Sequence, residues 1–255
     1  AASDGTAPYS YQWYRSTTSG FAPGAGNILS GATSLTLADT ASLVAGTTYY
    51  YVCKVTDSVS STALSNQISG VLKESVLSIG FIGDSITNGY NLTTPQGPVN
   101  QCKLTLESTY GNLEIALSEY GVNSTKTSDW LSGSANLIAA KAAFASASAT
   151  HVHIMLGAND AAAANLVSAA TYKSNLQNII ADLDGAGYIV VLSYPLYIPA
   201  GANGNATTAA SVALTLDYLD EIDSLINGTS VLRGDTSAYA YFESNLSEYQ
   251  ADQTH

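Results

Sequence analysis

Four polar residues in this chain have the types and the order that nucleophilic acyl transfer requires. Ser85 lies three positions after the end of the apolar run 76–82, Asn159 lies three positions after the end of a second apolar run, 151–156, and Asp252 precedes His255 by three positions. A serine hydroxyl becomes a nucleophile when an imidazole takes its proton and a carboxylate holds that imidazole in the right tautomer. An asparagine amide can donate a hydrogen bond to the oxyanion that then develops. We therefore predict Ser85 as the nucleophile, His255 as the base, Asp252 as its orienting carboxylate and Asn159 as an oxyanion donor.

Alternating apolar and helical patterns indicate the elements that position these residues. Strand-like apolar runs occur at 76–82, 113–117, 151–156 and 188–193. Helical stretches with apolar residues three and four apart occur at 134–147, 169–183 and 208–226. Strands that alternate with helices predict an α/β domain with a mostly parallel sheet, whose ligands bind beyond the carboxyl ends of the strands. Ser85 and Asn159 each follow such a strand.

The order of these motifs resembles that of a known enzyme family. Gly-Asp-Ser at 83–85, Gly-Ala-Asn-Asp at 157–160 and Asp-Gln-Thr-His at 252–255 are similar to the motifs of SGNH (GDSL-like) hydrolases. The resemblance covers residues 76–255. It implies a flavodoxin-like three-layer α/β/α domain, esterase chemistry and no cofactor. Taken singly, each residue has an ordinary interpretation as a turn serine, a loop amide, a surface carboxylate or a tail histidine.

One block departs from the family pattern. The family has a glycine whose backbone amide joins that of the nucleophile in the oxyanion hole, and the best match here is the stretch 121–125. In that register Ser124 stands where the glycine belongs. Gly121 is the alternative if the register slips. We predict an oxyanion hole formed by the amides of Ser85 and Ser124 with the side chain of Asn159.

Several aromatic side chains follow strand ends or motif segments and are candidates for a substrate pocket. They are Tyr90, Trp130, Tyr194 and Tyr197. Packing in the core or at its rim is an equally good interpretation of each.

Two histidines, His151 and His153, lie two residues apart on one predicted strand face. No third ligand with suitable spacing accompanies them, and they begin the strand whose far end carries Asn159. We predict no metal site and no cofactor.

The charge balance restricts the partners. Eight Lys and Arg against 20 Asp and Glu give a net charge of −12. So few basic residues cannot form a nucleic-acid surface or a patch for anionic lipid, and no apolar run is long enough to span a membrane. The expected partner is a small ester or an acetylated glycan; the oligomeric state is left open. The surface rich in Ser, Thr, Gly and Tyr favours an extracellular, virion-surface or cell-surface location.

Residues 1–72 have a different pattern, with short strands of period two at 9–14, 34–37 and 49–55 separated by turns. These strands resemble bacterial Ig-like and fibronectin type III-like modules, which implies a small all-β sandwich. The usual early strands are missing before Ala1, so we expect a module that is truncated or that packs in an unusual way. It serves as a spacer or, alternatively, binds carbohydrate. We divide the chain into domains 1–72 and 73–255. Cys53 and Cys102 fall in different domains, which favours two unpaired thiols over a disulfide.

These observations predict a serine esterase that hydrolyses acetyl esters, with a carbohydrate as the alcohol implied by the resemblance. One alternative is a non-catalytic adhesion or virion-surface protein that binds glycans and keeps the fold. The other is a lipase or thioesterase, which would need a long apolar groove.

Overall fold

The computed structural model describes most of the chain. The described residues are 4–39, 42–72, 75–92, 97–111, 113–202 and 206–249. Spatial contacts divide the chain into two compact units, one of Ala1–Ser75 with Tyr110–Glu114 and one of Val76–Thr109 with Ile115–His255.

The first unit contains one four-stranded antiparallel sheet. Its strands are β1 (Ser10–Ser16), β2 (Thr48–Thr56), β3 (Thr62–Leu64) and β4 (Ile68–Val71). The long strand β2 lies centrally, with β1 on one side and both β3 and β4 paired to it as well. A sandwich needs two facing sheets, and the described residues of this unit form only this one sheet, so the predicted sandwich is not seen.

The predicted strand at 34–37 is wrong. Residues 34–36 form a bend instead. The backbone N–H of Trp13 donates to the carbonyl of Ala32, and Trp13 Nε1 donates to the carbonyl of Ser34. These two isolated hydrogen bonds attach the segment to β1 without the repeated backbone pairing that defines a strand.

The second unit is built on a five-stranded sheet. Its strands are β5 (Ser75–Gly83), β6 (Leu113–Gly121), β7 (His151–Met155), β8 (Ile189–Leu192) and β9 (Val231–Arg233). They lie in the order β6-β5-β7-β8-β9, and the pairs β5–β7, β7–β8 and β8–β9 are parallel. Relabelled from one, this is the flavodoxin-like order 2-1-3-4-5. The predicted α/β class with a mostly parallel sheet is confirmed.

The helices of this unit follow the strands. They are α1 (Pro98–Thr109), α2 (Ala135–Ser146), α3 (Ala158–Ala161), α4 (Ala169–Gly185), α5 (Ala209–Leu225) and α6 (Ala238–Ser244). The long helices α2, α4 and α5 begin after Ser134, Ser168 and Thr208, whose side chains accept hydrogen bonds from the first helical turn. None of the described helices has the length and apolar character that crossing a membrane requires.

One face of the sheet is closely covered and holds the main core. Ile82, Ile154 and Leu192, one from each of three adjacent strands, are almost fully buried. They belong to one apolar cluster with residues of α2, α4 and α5. Tyr172 of α4 and Tyr218 of α5 stack in this cluster with ring centroids 3.9 Å apart.

The opposite face is covered less completely by α1 and α6. A cavity of about 620 Å³ lies there, between strand side chains such as Phe81 and His153 and helix residues such as Cys102 and Phe242. Cys102 and Cys53 are both unpaired thiols.

Candidate active site

The nucleophile candidate Ser85 lies in a tight turn at the carboxyl end of β5. The backbone N–H of Asn88 donates to the carbonyl of Asp84, and that of Tyr90 donates to the carbonyl of Ser85. Asp84 is almost fully buried, and its Oδ1 accepts a hydrogen bond of 2.9 Å from the N–H of Ile86. The Asp84 carboxylate therefore braces the turn that carries Ser85.

Asn159 lies at the carboxyl end of the neighbouring strand β7. The turn into α3 passes through Gly157 with φ of +136°, where an added Cβ would stand 3.2 Å from Pro195 Cγ. A side chain is therefore disfavoured there by both conformation and space. Asn159 Nδ2 donates to the carbonyl of Thr125 at 3.0 Å and to Asp84 Oδ2 at 3.3 Å. The second bond links Asn159 directly to the turn of Ser85.

Ser85 and Asn159 line one small cavity of about 40 Å³. Its other walls are apolar or weakly polar: Ile86, Ala158, Ala162, Ile198, Ala206 and Thr207. Ile198 and its neighbours in the wall were not predicted from the sequence. An isoleucine in a segment between a strand and a helix has no distinctive chemistry. Its position after the carboxyl end of β8 is the one feature of the sequence that indicates a place near the site.

The third segment of the site is 121–125, which follows β6. At Gly121 an added Cβ would lie 2.6 Å from the backbone nitrogen of Asn88, so a glycine there permits the close approach to the turn of Ser85. Asn88 Nδ2 also donates to Asn123 Oδ1 at 2.8 Å. The structure thus brings the Ser124 segment beside the turn of Ser85, and the absence of a side chain at Gly121 has a packing explanation.

Ser124 has a left-handed backbone conformation with φ of +62°. This region favours glycine, and a residue with a side chain is strained there by roughly 1 kcal/mol. Within the described part of the chain, the N–H of Ser124 has no protein acceptor. The backbone at this position is therefore the one a glycine would adopt, as the family pattern requires.

Asp252 and His255 lie outside the described residues. Of the predicted catalytic residues, the structure places Ser85, Asn159 and the segment of Ser124 together.

Comparison with known families identifies the second unit. The model of the GDSL-like lipase/acylhydrolase family matches residues 81–222. That range is more than half of the chain and contains Ser85, Ser124 and Asn159. The chain belongs to this family.

Solved structures of similar fold include three hydrolases. A lipase/acylhydrolase from Enterococcus faecalis is 23% identical with a TM-score of 0.54, over 70% of this chain and 86% of that chain. A catalytic mutant of Axe2, an acetylxylan esterase from Geobacillus stearothermophilus, is 18% identical with a TM-score of 0.54, over 72% of this chain and 88% of that chain. The psychrotrophic esterase EstA from a Pseudoalteromonas species is 21% identical with a TM-score of 0.50, over 70% and 86%. No curated protein sequence matches this chain.

None of the four aromatic candidates of this GDSL-like hydrolase is among the described residues that line the small cavity. Trp130 is 0% exposed, and its Nε1 donates to Thr125 Oγ1 at 3.0 Å, so it cannot line an open substrate pocket. The prediction for Trp130 is corrected: it is a core residue that supports the 121–130 segment. Tyr194 lines the larger cavity on the sheet face and donates its hydroxyl to Asp223. Tyr197 packs edge-on against Tyr239, while Tyr90 is 41% exposed.

The two histidines of β7 are explained by local contacts in this hydrolase. His151 Nδ1 is 2.9 Å from Thr150 Oγ1, and His153 Nε2 is 2.7 Å from Ser193 Oγ. Burial lowers the pKa of His153 to about 4, and the negative charge of Asp235 only partly opposes this shift. Among the described residues, no three or more His, Cys, Asp or Glu side chains are grouped so as to hold a metal ion.

Proposed function

We propose that this GDSL-like hydrolase is a serine esterase that removes acetyl groups from a carbohydrate, with Ser85 as its nucleophile. The observation that carries the proposal is the cavity shared by Ser85 and Asn159. A serine at a braced turn and an amide side chain thus border the same space, as attack on a carbonyl and stabilisation of its oxyanion require.

The proposed reaction is acyl transfer in two steps. His255, held by Asp252, takes the proton of Ser85 as the hydroxyl oxygen attacks the ester carbonyl. The oxyanion accepts hydrogen bonds from the backbone amides of Ser85 and Ser124 and from Asn159 Nδ2. Asn159 releases its longer hydrogen bond, the one of 3.3 Å to Asp84 Oδ2, to make this contact, and keeps the one to the carbonyl of Thr125. His255 then gives its proton to the leaving alcohol, and water releases the acid from Ser85 by the reverse route.

The size of the cavity supports a short acyl group. A cavity holds one water when its volume reaches roughly 10–15 Å³, so a volume of about 40 Å³ accepts about three water-sized groups. An acetyl group has three heavy atoms. The side chains of Ile198 and Thr207 are among those that bound the space into which a longer chain would extend.

Two observations support a neutral carbohydrate as the alcohol. One similar structure is that of an acetyl-xylooligosaccharide esterase from Geobacillus, with 18% identity and a TM-score of 0.53. The net charge of −12 also repels an acidic polymer at long range, whereas a neutral glycan is unaffected.

A substrate panel tests the proposal. Hydrolysis rates are measured on nitrophenyl acetate, butyrate and octanoate, and acetate release is measured on acetylated xylan, with Ser85→Ala as the control. We expect kcat/KM to be highest for acetate among the nitrophenyl esters, and acetate to be released from xylan by the parent alone. Preference for octanoate would contradict the acetyl proposal, and equal activity of Ser85→Ala would contradict the nucleophile.

A further inference from the structure

Asp160, the residue after Asn159, is a buried carboxylate bonded to the segment that carries Ser124. It is 0% exposed. Thr127 donates to it twice: the backbone N–H lies 3.0 Å from Oδ2 and 3.2 Å from Oδ1, and the hydroxyl Oγ1 lies 2.5 Å from Oδ1. Asn175 of α4 donates in turn to Thr127 Oγ1 at 2.9 Å. Asp160 therefore fixes both the backbone and the side chain of Thr127.

The neighbouring hydrogen bonds connect this attachment to the proposed oxyanion donors. The carbonyl of Thr125 accepts from Asn159 Nδ2, and Thr125 Oγ1 donates to the carbonyl of Val122 at 2.8 Å. Ser124 lies between these two bonded residues. One strand end thus supplies two consecutive side chains, Asn159 and Asp160, that hold the 122–127 segment at Thr125 and at Thr127.

The energetics indicate a role for Asp160 other than stabilising the fold. Burial raises the pKa of Asp160, and the hydrogen bonds from Thr127 oppose that shift only in part. A buried carboxylate whose desolvation is incompletely offset contributes little to the free energy of folding. Its hydrogen bonds nevertheless fix a geometry, which is what donors aimed at a developing charge require.

We infer that Asp160 is a positioning residue, which holds the Ser124 amide in register with Asn159 so that both donors face the oxyanion. This inference rests on the proposed function. It predicts an effect on the transition state and a small effect on binding of the ground-state ester, because the oxyanion exists only during reaction.

The test substitutes each partner of the contact between Asp160 and Thr127, and each substitution has its own control variant. Asp160→Asn keeps the shape and removes the charge and one acceptor, and Thr127→Val removes the donating hydroxyl. Thr127→Ser keeps that hydroxyl and should restore the parent rate. Asp182→Asn is the control for Asp160→Asn. Asp182 also accepts a hydrogen bond from a hydroxyl, that of Ser132, just beyond the 122–127 segment. We expect this variant to keep turnover within about twofold of the parent.

On nitrophenyl acetate we expect kcat to fall at least about tenfold in Asp160→Asn and in Thr127→Val, because a small misplacement of catalytic groups lowers the rate by up to roughly a hundredfold. KM should stay within about twofold of the parent value. The double variant should lose less than the product of the two single losses, because both variants weaken the contact between Asp160 and Thr127. Amide hydrogen exchange of residues 121–130 should accelerate in Asp160→Asn and stay at the parent level in Asp182→Asn.

The results distinguish a failure of the positioning role of Asp160 from a failure of the proposed esterase function. If the parent hydrolyses esters and Asp160→Asn keeps its kcat, the positioning role is wrong and the proposed function stands. If the two single losses multiply in the double variant, Asp160 and Thr127 act separately and the inference is also wrong. If the parent hydrolyses none of the esters, the proposed function fails, and the role of Asp160 in it fails too. Exchange of 121–130 that is unchanged in Asp160→Asn would show that Asp160 does not hold the segment in any case.

Discussion

The two oxyanion donors proposed beside Ser85 reach the reacting carbonyl in different ways. Asn159 offers its side chain, whose Nδ2 is held by the carbonyl of Thr125 and by Asp84. Ser124 offers its backbone N–H from a left-handed conformation. If this is correct, the side chain matters at Asn159 and is dispensable at Ser124.

Substitutions at these two residues should therefore differ sharply in effect. Asn159→Ala should lower kcat on nitrophenyl acetate by about 10²–10³, the usual loss when one oxyanion donor is removed. Ser124→Ala should be mild, and Ser124→Gly should keep the parent rate, because glycine adopts a positive φ without the strain of roughly 1 kcal/mol. A loss in Ser124→Ala as large as that in Asn159→Ala would show that the hydroxyl takes part or that the register is wrong.

The sequence could predict those site residues whose chemistry is distinctive. Ser85 and Asn159 were predicted because their motifs follow apolar strands, and the structure brings both to one cavity, while their catalytic roles stay predictions. Trp130 was predicted to line a pocket and Ile198 was not predicted at all, because a side chain's distance from Ser85 depends on how distant segments pack. The aromatic Trp130 is used in the core, and the aliphatic Ile198 lines the cavity.

At the scale of elements, the connection between β8 and α5 limits the space beside Ser85. Ile198 lies in this connection and lines the small cavity together with Thr207. The length of the acyl chain that the enzyme accepts should therefore depend on the volume of the side chain at position 198.

Ile198→Ala should widen the acyl specificity. The substitution removes three carbons from the cavity wall and opens space for the extra carbons of butyrate. We therefore expect the kcat/KM for nitrophenyl butyrate, divided by that for nitrophenyl acetate, to rise about tenfold. This change lies within the range typical of one or two methylenes in an apolar pocket. Ile198→Val is the matched control and should change the ratio less. An unchanged ratio in Ile198→Ala would place the acyl group elsewhere.

The strand β7 has a titrating group, His153, at its centre. The pKa of His153 is lowered to about 4 from 6.5, mainly because burial disfavours the charged ring. Below about pH 6.5 the unfolded chain binds a proton that the folded chain does not, so the stability present at neutral pH is lost as the pH falls towards 4.

His153→Gln should remove this dependence. Between pH 7 and pH 5 the free energy of unfolding of the parent should fall by about 2 kcal/mol more than that of the variant. Urea unfolding at the two pH values measures this difference, and His151→Gln, two residues earlier on the same strand, is the control and should behave as the parent. Equal losses in the parent and in His153→Gln would contradict the assignment of the effect to His153.

The elements with strong local signals were predicted closely. Helices α2, α4 and α5 combine periodic apolar positions with a Ser or Thr cap, and their observed bounds differ from the predictions by no more than two residues. Helix α1 was missed because Val99 is its only buried side chain, so its sequence carries almost no apolar stripe. Strand β9 was missed because three residues are too few to show a period.

At the scale of the whole molecule, the chain forms two compact units with different architectures. Ser85, Ser124 and Asn159 belong to the second unit, as do the walls of the small cavity. The order of the strands in that unit could be expected only through the resemblance, because local periodicity gives no information about which strands are neighbours.

A chain of residues 73–255 should therefore retain turnover on nitrophenyl acetate within about threefold of the parent, since every proposed catalytic residue lies inside it. Circular dichroism checks that it folds, and rates on acetylated xylan measured in parallel show whether the first unit assists with a polymer. A folded but inactive piece would mean that the first unit contributes to the site.

The central claim is that Ser85 is an activated nucleophile, and covalent labelling tests it most directly. The parent is incubated with a fluorophosphonate at neutral pH, and the modified residue is located by mass spectrometry of peptides. We predict one label per chain, on Ser85, with loss of esterase activity in step with labelling and no label in Ser85→Ala. A label on another residue, or equal labelling of Ser85→Ala, would contradict the account.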